Sequence, residues 1–226
     1  MNMNIKFKKQ IIITIFLLVS CMSIPSTNYI LDNKSSSKVT INKSLKIQIF
    51  QDLRRGENID KTILLFVPFI KASGAELNFP EADRMSINSP IKYYFAEILK
   101  LELENEYYFS NLFISDELNN SAEYVISGKI NTFFCSRKMY SYWLGFLEPL
   151  TWYFGLPAMA NECNLNVEIT LQNKSGETLL SKIYDEESII YSGLYYNFVE
   201  LNKVYPDVMK KLMNKVLMDI QPLIKE

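Results

Sequence analysis

Residues 165–171 read Leu-Asn-Val-Glu-Ile-Thr-Leu, an unbroken alternation of apolar and polar side chains. A period of two is typical of a β-strand that buries one face and exposes the other. The turn-forming sequence Asn-Lys-Ser-Gly follows at 173–176, and residues 177–184 read as a second strand. This stretch therefore predicts a β-hairpin, because a tight turn between two strand patterns brings them side by side.

Further strand patterns lie before this hairpin. Residues 44–50 alternate like a half-exposed strand, and residues 124–134 have apolar side chains at Ile126, Ile130 and Phe134. Residues 62–67 form a continuous apolar run, which favours a strand buried on both faces. We expect these segments to join the hairpin in one sheet.

Two segments repeat apolar residues at helical spacing instead. The first follows Ser89 and Pro90, which are typical of a helix start. Its apolar positions are Ile91, Phe95, Ile98 and Leu99, with Glu97, Glu102 and Glu104 elsewhere on the helical wheel. The second has Pro206 in its first turn and an apolar stripe from Val208 to Ile220. The order of strands, helix, strands, helix predicts an α+β fold, with a mainly antiparallel sheet and helices packed on one face.

The first 20 residues are organised like a lipoprotein signal peptide. Lys6, Lys8 and Lys9 precede an apolar run at 11–19 that is too short to span a bilayer, and residues 18–21, Leu-Val-Ser-Cys, resemble a lipoprotein signal-peptidase site. We expect three regions: a lipoprotein signal peptide at 1–20, Cys21 carrying diacylglycerol and palmitate-like acyl chains on a flexible tether at 21–43, and one globular domain at 44–226. An uncleaved anchor or an ordinary secretory signal is the alternative.

The mature chain is expected to be acidic. The sequence has 24 Lys and Arg against 25 Asp and Glu, and three of the lysines lie in residues 1–20, so the mature net charge is about −4. No basic cluster is left outside the signal peptide, which argues against nucleic acid as a partner.

The absence of histidine restricts the chemistry of this chain. It excludes nucleophile–histidine pairs, histidine zinc sites and imidazole acid–base catalysis. Two acidic stretches, 116–117 and 185–187, lack the ligand spacing of a calcium loop and are interpreted as solvated charge. We therefore expect no catalytic residue, no metal and no cofactor. The alternative is an enzyme that acts on envelope polymers through carboxylates from distant parts of the chain.

Cys135 and Cys163 are candidates for a disulfide, because an exported domain meets an oxidising compartment. Such a bond would stabilise the fold by about 3.5 kcal/mol through loop-closure entropy. Strand alternation argues against it, since Cys163 shares the inward parity of Leu165 whereas Cys135 follows the inward position Phe134 and should point outward. The pattern leaves open whether the two thiols are bonded or free.

Residues 140–157 hold both tryptophans and fit neither a strand nor one continuous helix, because Gly145, Pro149 and Gly155 interrupt them. One interpretation is that these aromatic side chains fold back over an open end of the sheet and complete the core. The other is that they form a surface that contacts a partner or the bilayer. The candidate contact residues are Tyr142, Trp143, Trp152 and Tyr153.

Several strand and turn sequences carry a family resemblance. They are Leu-Leu-Phe-Val-Pro-Phe at 64–69, Phe-Pro-Glu at 79–81, Ala-Glu-Tyr-Val-Ile-Ser-Gly-Lys-Ile at 122–130 and Trp-Tyr-Phe-Gly-Leu-Pro at 152–157. Over residues 45–195 the chain resembles a group of uncharacterised bacterial envelope lipoproteins. More loosely, it is similar to the α/β domain of accessory lipoproteins that assist outer-membrane secretion and assembly machines. The resemblance implies a lipid-anchored, non-enzymatic accessory or interaction component of the cell envelope with an envelope protein as partner.

The lipid anchor gives the first testable prediction. Cys21→Ala should abolish incorporation of labelled fatty acid and block processing at this site, because the thiol is the acyl acceptor. Continued labelling of the variant would show that Cys21 is not the anchor. Met22 and Ser23 also lack the aspartate that retains enteric-type lipoproteins in the inner membrane. If the cell has two membranes, we therefore expect fractionation with the outer one.

Overall fold

The structure is a computed structural model that describes residues 29–31, 38–55, 59–78, 90–117, 122–197 and 204–225. Within these ranges, a sheet of eight strands packs against two long helices, so the predicted α+β class is confirmed. The predicted signal peptide and Cys21 lie outside the described residues.

The elements have the following bounds. The strands are β1 (Val39–Ile47), β2 (Gln51–Asp52), β3 (Ile59–Asp60), β4 (Ala72–Asn78), β5 (Tyr107–Ile114), β6 (Tyr124–Tyr140), β7 (Met159–Asn173) and β8 (Thr178–Ser192). The α-helices are α1 (Ile91–Glu106), α2 (Pro149–Tyr153) and α3 (Val204–Lys225), and two short 3-10 helices span Thr62–Phe66 and Gly145–Leu147.

The long strand β6 organises the sheet. One edge of β6 pairs antiparallel with β7, and β8 pairs antiparallel with the far edge of β7 through the predicted hairpin. The other edge of β6 pairs in succession with β1, β2 and β4. β1 runs parallel to both β5 and β6, and β2 is also parallel to β6. The sheet is therefore mixed, with parallel pairs that the sequence pattern did not indicate.

The core lies between the helices and one face of the sheet, where the alternation and the stripes predicted it. The inward residues of β7 are fully buried, as are most of the α3 stripe: Leu165, Val167, Ile169, Leu171, Val208, Met209, Leu212, Met213, Val216 and Ile220. Gly128 on β6 is required here, because a Cβ atom at this position would lie 2.2 Å from the Phe50 ring. A side chain at 128 would therefore push that ring out of the core.

A bulge in β6 corrects the prediction for Cys135. Ile130 pairs with Val167 but Thr132 pairs with Asn166, so Asn131 is an extra residue in the ladder. One inserted residue moves every later side chain to the opposite face. Cys135 therefore faces inward with Phe133, opposite Cys163, and the structure joins the two cysteines in a disulfide.

The position of Glu102 on α1 is a feature that the spacing of the apolar residues did not indicate. Glu102 is buried, and it accepts hydrogen bonds from Lys210 Nζ at 2.6 Å and from the Tyr29 hydroxyl. The Lys210 ammonium lies 5.5 Å from the centroid of the Tyr29 ring. A buried carboxylate is tolerated when such partners replace its water, so these three residues fasten the segment at 29–31 to α1 and α3.

Polar side chains align α3 along β8. Asp219 accepts hydrogen bonds from Lys182 Nζ at 2.6 Å and from the Tyr184 hydroxyl at 2.8 Å. The Lys182 bond is the main cause that lowers the pKa of Asp219, whereas burial and then Asp219 itself raise the pKa of Tyr184. The same seam continues in the ion pair Glu186–Lys215 and the hydrogen bond from Ser188 to Asp207.

Three local expectations are corrected. Residues 62–66 form a 3-10 helix with Ile63 and Phe66 exposed, so the prediction of a buried strand at 62–67 is wrong. β1 begins at Val39, inside the range assigned to the tether, and an extra residue between Ile41 and Ser44 explains why its alternation was not visible. The acidic stretch 185–187 lies within β8 rather than beyond a strand end.

The α3 stripe gives a stability prediction. Leu212→Ala should lower the free energy of unfolding by about 2–5 kcal/mol, because the lost methyl groups leave a cavity in a packed core. Met218→Ala on the same helix is the control, since Met218 is 71% exposed. Thermal or denaturant unfolding measures both, and an unchanged Leu212→Ala midpoint would contradict the core assignment.

Candidate functional site

Exposed apolar side chains gather at one end of the sheet, beside the first residues of β4 and β7 and the last residues of β6 and β8. They come from three segments: the 3-10 helix and turn at 62–70, the excursion at 143–156, and the turn at 194–196. We call this surface the apolar end, and define it by Ile63, Phe66, Val67, Phe69, Trp143, Leu144, Phe146, Leu147, Leu150, Tyr153, Phe154, Leu156, Leu194, Tyr195 and Tyr196, all of them exposed.

Hydrogen bonds between the segments hold the apolar end together. The backbone N–H of Phe69 donates to the carbonyl oxygen of Trp143 at 3.2 Å, which ties the first segment to the second. The Tyr195 hydroxyl donates to the carbonyl oxygen of Tyr153 at 3.0 Å, and the two rings meet edge to face, which ties the second segment to the third. The apolar side chains are thus presented from a connected scaffold.

Several backbone positions in this scaffold are strained. Phe69, Tyr142 and Trp143 have φ angles of 72°, 52° and 67°, in the left-handed region that side chains with a Cβ avoid. Such positions cost about 1–3 kcal/mol each and persist only where surrounding contacts hold them. Here the N–H groups of Ser141 and Tyr142 both donate to the carbonyl oxygen of Lys71, at 3.0 and 3.1 Å.

The four candidate aromatic residues take two different places. Trp143 and Tyr153 are 53% and 65% exposed, so both are available for contact. Tyr142 and Trp152 are half-buried and bonded to backbone, the Tyr142 hydroxyl to the Pro157 carbonyl at 2.8 Å and Trp152 Nε1 to the Tyr140 carbonyl at 2.9 Å. The last two therefore fix the excursion to the sheet instead of facing solvent.

Sequence reasoning missed the most exposed rings. Phe69, Phe146 and Phe154 are 88%, 71% and 81% exposed. The run at 62–67 predicted a buried strand, because an apolar run has no period that distinguishes burial from exposure, and Phe69 lies just beyond it. Pro68 and the neighbouring Phe69 were the available signal for a turn.

Charge is sparse at the apolar end. In the segments 61–71, 138–160 and 189–197 the charged residues are Lys61, Lys71, Lys138 and a single acid, Glu148. Lys138 pairs with Glu162 at 3.3 Å, whereas the Lys71 ammonium lies 5.6 Å from the Trp143 ring centroid. Lysine is thus the exposed charge of these segments.

Glu148 is 4% exposed, and its Oε2 atom has no hydrogen-bond partner among the described residues. Burial raises the pKa of this carboxyl, because the charged form loses its water. The acid within the apolar end therefore favours its neutral form more than an exposed glutamate does.

One cleft among the described residues brings two carboxylates together. A shallow cleft beside β2 is lined by Asp52, Lys92 and Asp116. Hydrogen bonding from Arg54 is the main cause that lowers the pKa of Asp52, which is the opposite of what a general acid needs. In the described ranges, no three acidic or cysteine side chains lie close enough to hold a metal ion, and no helix is long and apolar enough to cross a membrane.

Comparisons with protein-family models and with curated proteins found no match. Among solved structures, the chain is similar to the hypothetical protein CT253 from Chlamydia trachomatis, with a TM-score of 0.39 and 8% identity over 80% of this chain and 98% of that one. It is also similar to a PelC variant from Paraburkholderia phytofirmans, described as a dodecamer, with a TM-score of 0.39 and 14% identity over 83% of this chain and 94% of that one. At such TM-scores neither likeness carries an argument about function.

The buried carboxyl gives a pH prediction. The folded state holds the Glu148 proton more tightly than the unfolded chain does, so this group's contribution to the free energy of unfolding falls as pH rises above the ordinary pKa of 4.5. Glu148→Gln should therefore raise the melting temperature at pH 7–8, and the gain should vanish below about pH 4.

Exposed Glu106→Gln is the matched control, since it removes the same charge from the surface of α1. Melting curves across this pH range measure both variants. A Glu148→Gln effect that is independent of pH would show that burial of the charge is not its source.

Proposed function

We propose that the protein is a lipid-anchored component of the bacterial cell envelope that acts by contact, as a non-enzymatic accessory or interaction protein. Its domain presents the apolar end to another component of the envelope. The outer membrane is the proposed location, and Cys21 is the proposed anchor.

The exposure of the apolar end carries this proposal. Soluble monomeric proteins rarely expose a contiguous apolar patch of more than a few hundred Å², and larger patches are typical of protein or membrane contacts. Trp and Tyr in such a patch are favourable contact residues, because they bury a large area at low cost in side-chain entropy. Trp143 and Tyr153 have this exposure here.

The anchor explains why such a surface is tolerated in an exported protein. Eight peptide units separate Cys21 from Tyr29, and they span at most about 29 Å. Tyr29 is bonded to Glu102 on α1, so a lipid on Cys21 would hold the domain close to the membrane. Confinement to a short distance raises the effective concentration of the contact, and a modest intrinsic affinity then suffices.

Binding to native envelope membranes tests the proposal. The chain starting at residue 22 is used, because every described contact lies in residues 29–225 and removing the lipid isolates the protein surface. Trp143→Ala should weaken its sedimentation with these membranes about tenfold, as expected for a central interface tryptophan.

Tyr108→Ala is the control, since Tyr108 is an aromatic of similar exposure, 59%, on β5. Circular dichroism and melting curves establish that both variants are folded. If wild type fails to bind, or if the two variants bind equally, the contact function assigned to the apolar end is wrong.

A further inference from the structure

We propose that the apolar end is a bilayer-docking surface that inserts its exposed rings into the interfacial region of a membrane containing anionic lipids. This inference rests on the proposed contact function and names the occupant of that surface. The reasons are the composition of the rings, the charge around them and the way the backbone presents them.

The exposed side chains match the two depths of a bilayer interface. Trp143, Tyr153 and Tyr195 combine an apolar ring with a polar edge, and such residues are enriched at the level of lipid headgroups. Phe146 and Phe154 are the more exposed pair and have no polar atom, so they suit the acyl region beneath. A surface made from both kinds fits a boundary between water and hydrocarbon.

The charge around the rings favours anionic lipid over a neutral surface. Lys71 is exposed at one border of the first segment, and its ammonium lies 5.6 Å from the centroid of the Trp143 ring. Lys61 is exposed at the other border, where the neighbouring Asp60 carboxylate accepts a hydrogen bond from the backbone N–H of Thr62. Glu148, the acid within the excursion, is 4% exposed and so presents almost no carboxylate at this surface. The chain as a whole is slightly acidic, so the exposed Lys71 differs in sign from the average surface.

Insertion needs rings that already point outward, and the scaffold provides this. Tyr142 and Trp143, both with positive φ, turn the chain just after β6 ends. The half-buried Trp152 holds this turn through the hydrogen bond from its Nε1 atom to the Tyr140 carbonyl oxygen. Docking would therefore cost little further ordering of the backbone. Together with the lipid at Cys21 it would supply the second membrane signal that makes anchoring durable.

Tryptophan fluorescence with defined vesicles tests the docking directly. The chain starting at residue 22 is mixed with phosphatidylcholine vesicles, with or without about one third phosphatidylglycerol. Trp152→Phe leaves Trp143 as the only tryptophan, and Trp143→Phe leaves Trp152. We expect the Trp143 emission to shift to the blue on anionic vesicles and to be quenched by acyl-chain-brominated lipid, with a much smaller response from Trp152.

A charge variant tests the headgroup contact. Lys71→Glu should weaken binding to the anionic vesicles about fivefold or more, and high salt should reduce the difference. Lys174→Glu is the matched control, because Lys174 is an exposed lysine in the β7–β8 turn, at the opposite end of these strands. It should bind like wild type. Equal losses in the two variants would overturn the headgroup assignment.

The other outcomes separate this proposal from the contact function. Binding to native envelope membranes that depends on Trp143, without binding to pure lipid vesicles, would overturn bilayer docking and leave the contact function standing. Self-association that Trp143→Ala abolishes, again without vesicle binding, would assign the apolar end to a second copy of the chain. Failure to bind either membrane would overturn both proposals. Vesicle binding with no response from Trp143 would place the lipid contact on another surface.

Discussion

The length of β6 is the constraint on which the other features depend. Its 17 residues pair with β7 along nearly the whole of one edge and with β1, β2 and β4 in turn along the other. The polar side-chain contacts of α3 with β8 run from Lys182 to Ser188, and β8 continues to Ser192. The apolar end forms beyond these contacts, from the segments that connect the strands.

The sequence predicted the elements whose pattern is uninterrupted. The β7–β8 hairpin, the buried face of β7 and the apolar stripe of α3 were all predicted, because the strand period of two and the helical spacing of four continue without a break. The orientation of Cys135 was not, since Asn131 inserts into β6 and reverses the parity of every later residue. The parallel pairing of β1 with β5 and β6 was not predicted either. It depends on which strands become neighbours in the sheet, and the residue pattern within one strand does not determine this.

The candidate site was predictable only in outline. An excursion rich in aromatic residues between two strands was visible from the sequence, and Trp143 and Tyr153 were named as contact residues. Phe69 was not, because it follows the apolar run at 62–67, and a run with no period is compatible with a buried strand and with an exposed turn alike. Distinguishing the two requires knowing that the segment at 62–70 meets the excursion across the end of the sheet. An example is the hydrogen bond from Phe69 to Trp143, which joins residues 74 positions apart.

Residues that depart from ordinary backbone and burial preferences are distributed unevenly in this molecule. The helical half has a proline inside α3, Pro222, but its buried acid, Glu102, has Lys210 and Tyr29 as partners. The apolar end combines left-handed aromatic residues, exposed phenylalanines and a buried carboxyl at Glu148 without a partner among the described residues. Each of these lowers stability, and folding alone would favour replacing them. Local conflicts concentrated at one end of the fold are what the proposed contact surface would require, because side chains that suit an apolar partner are unfavourable in water.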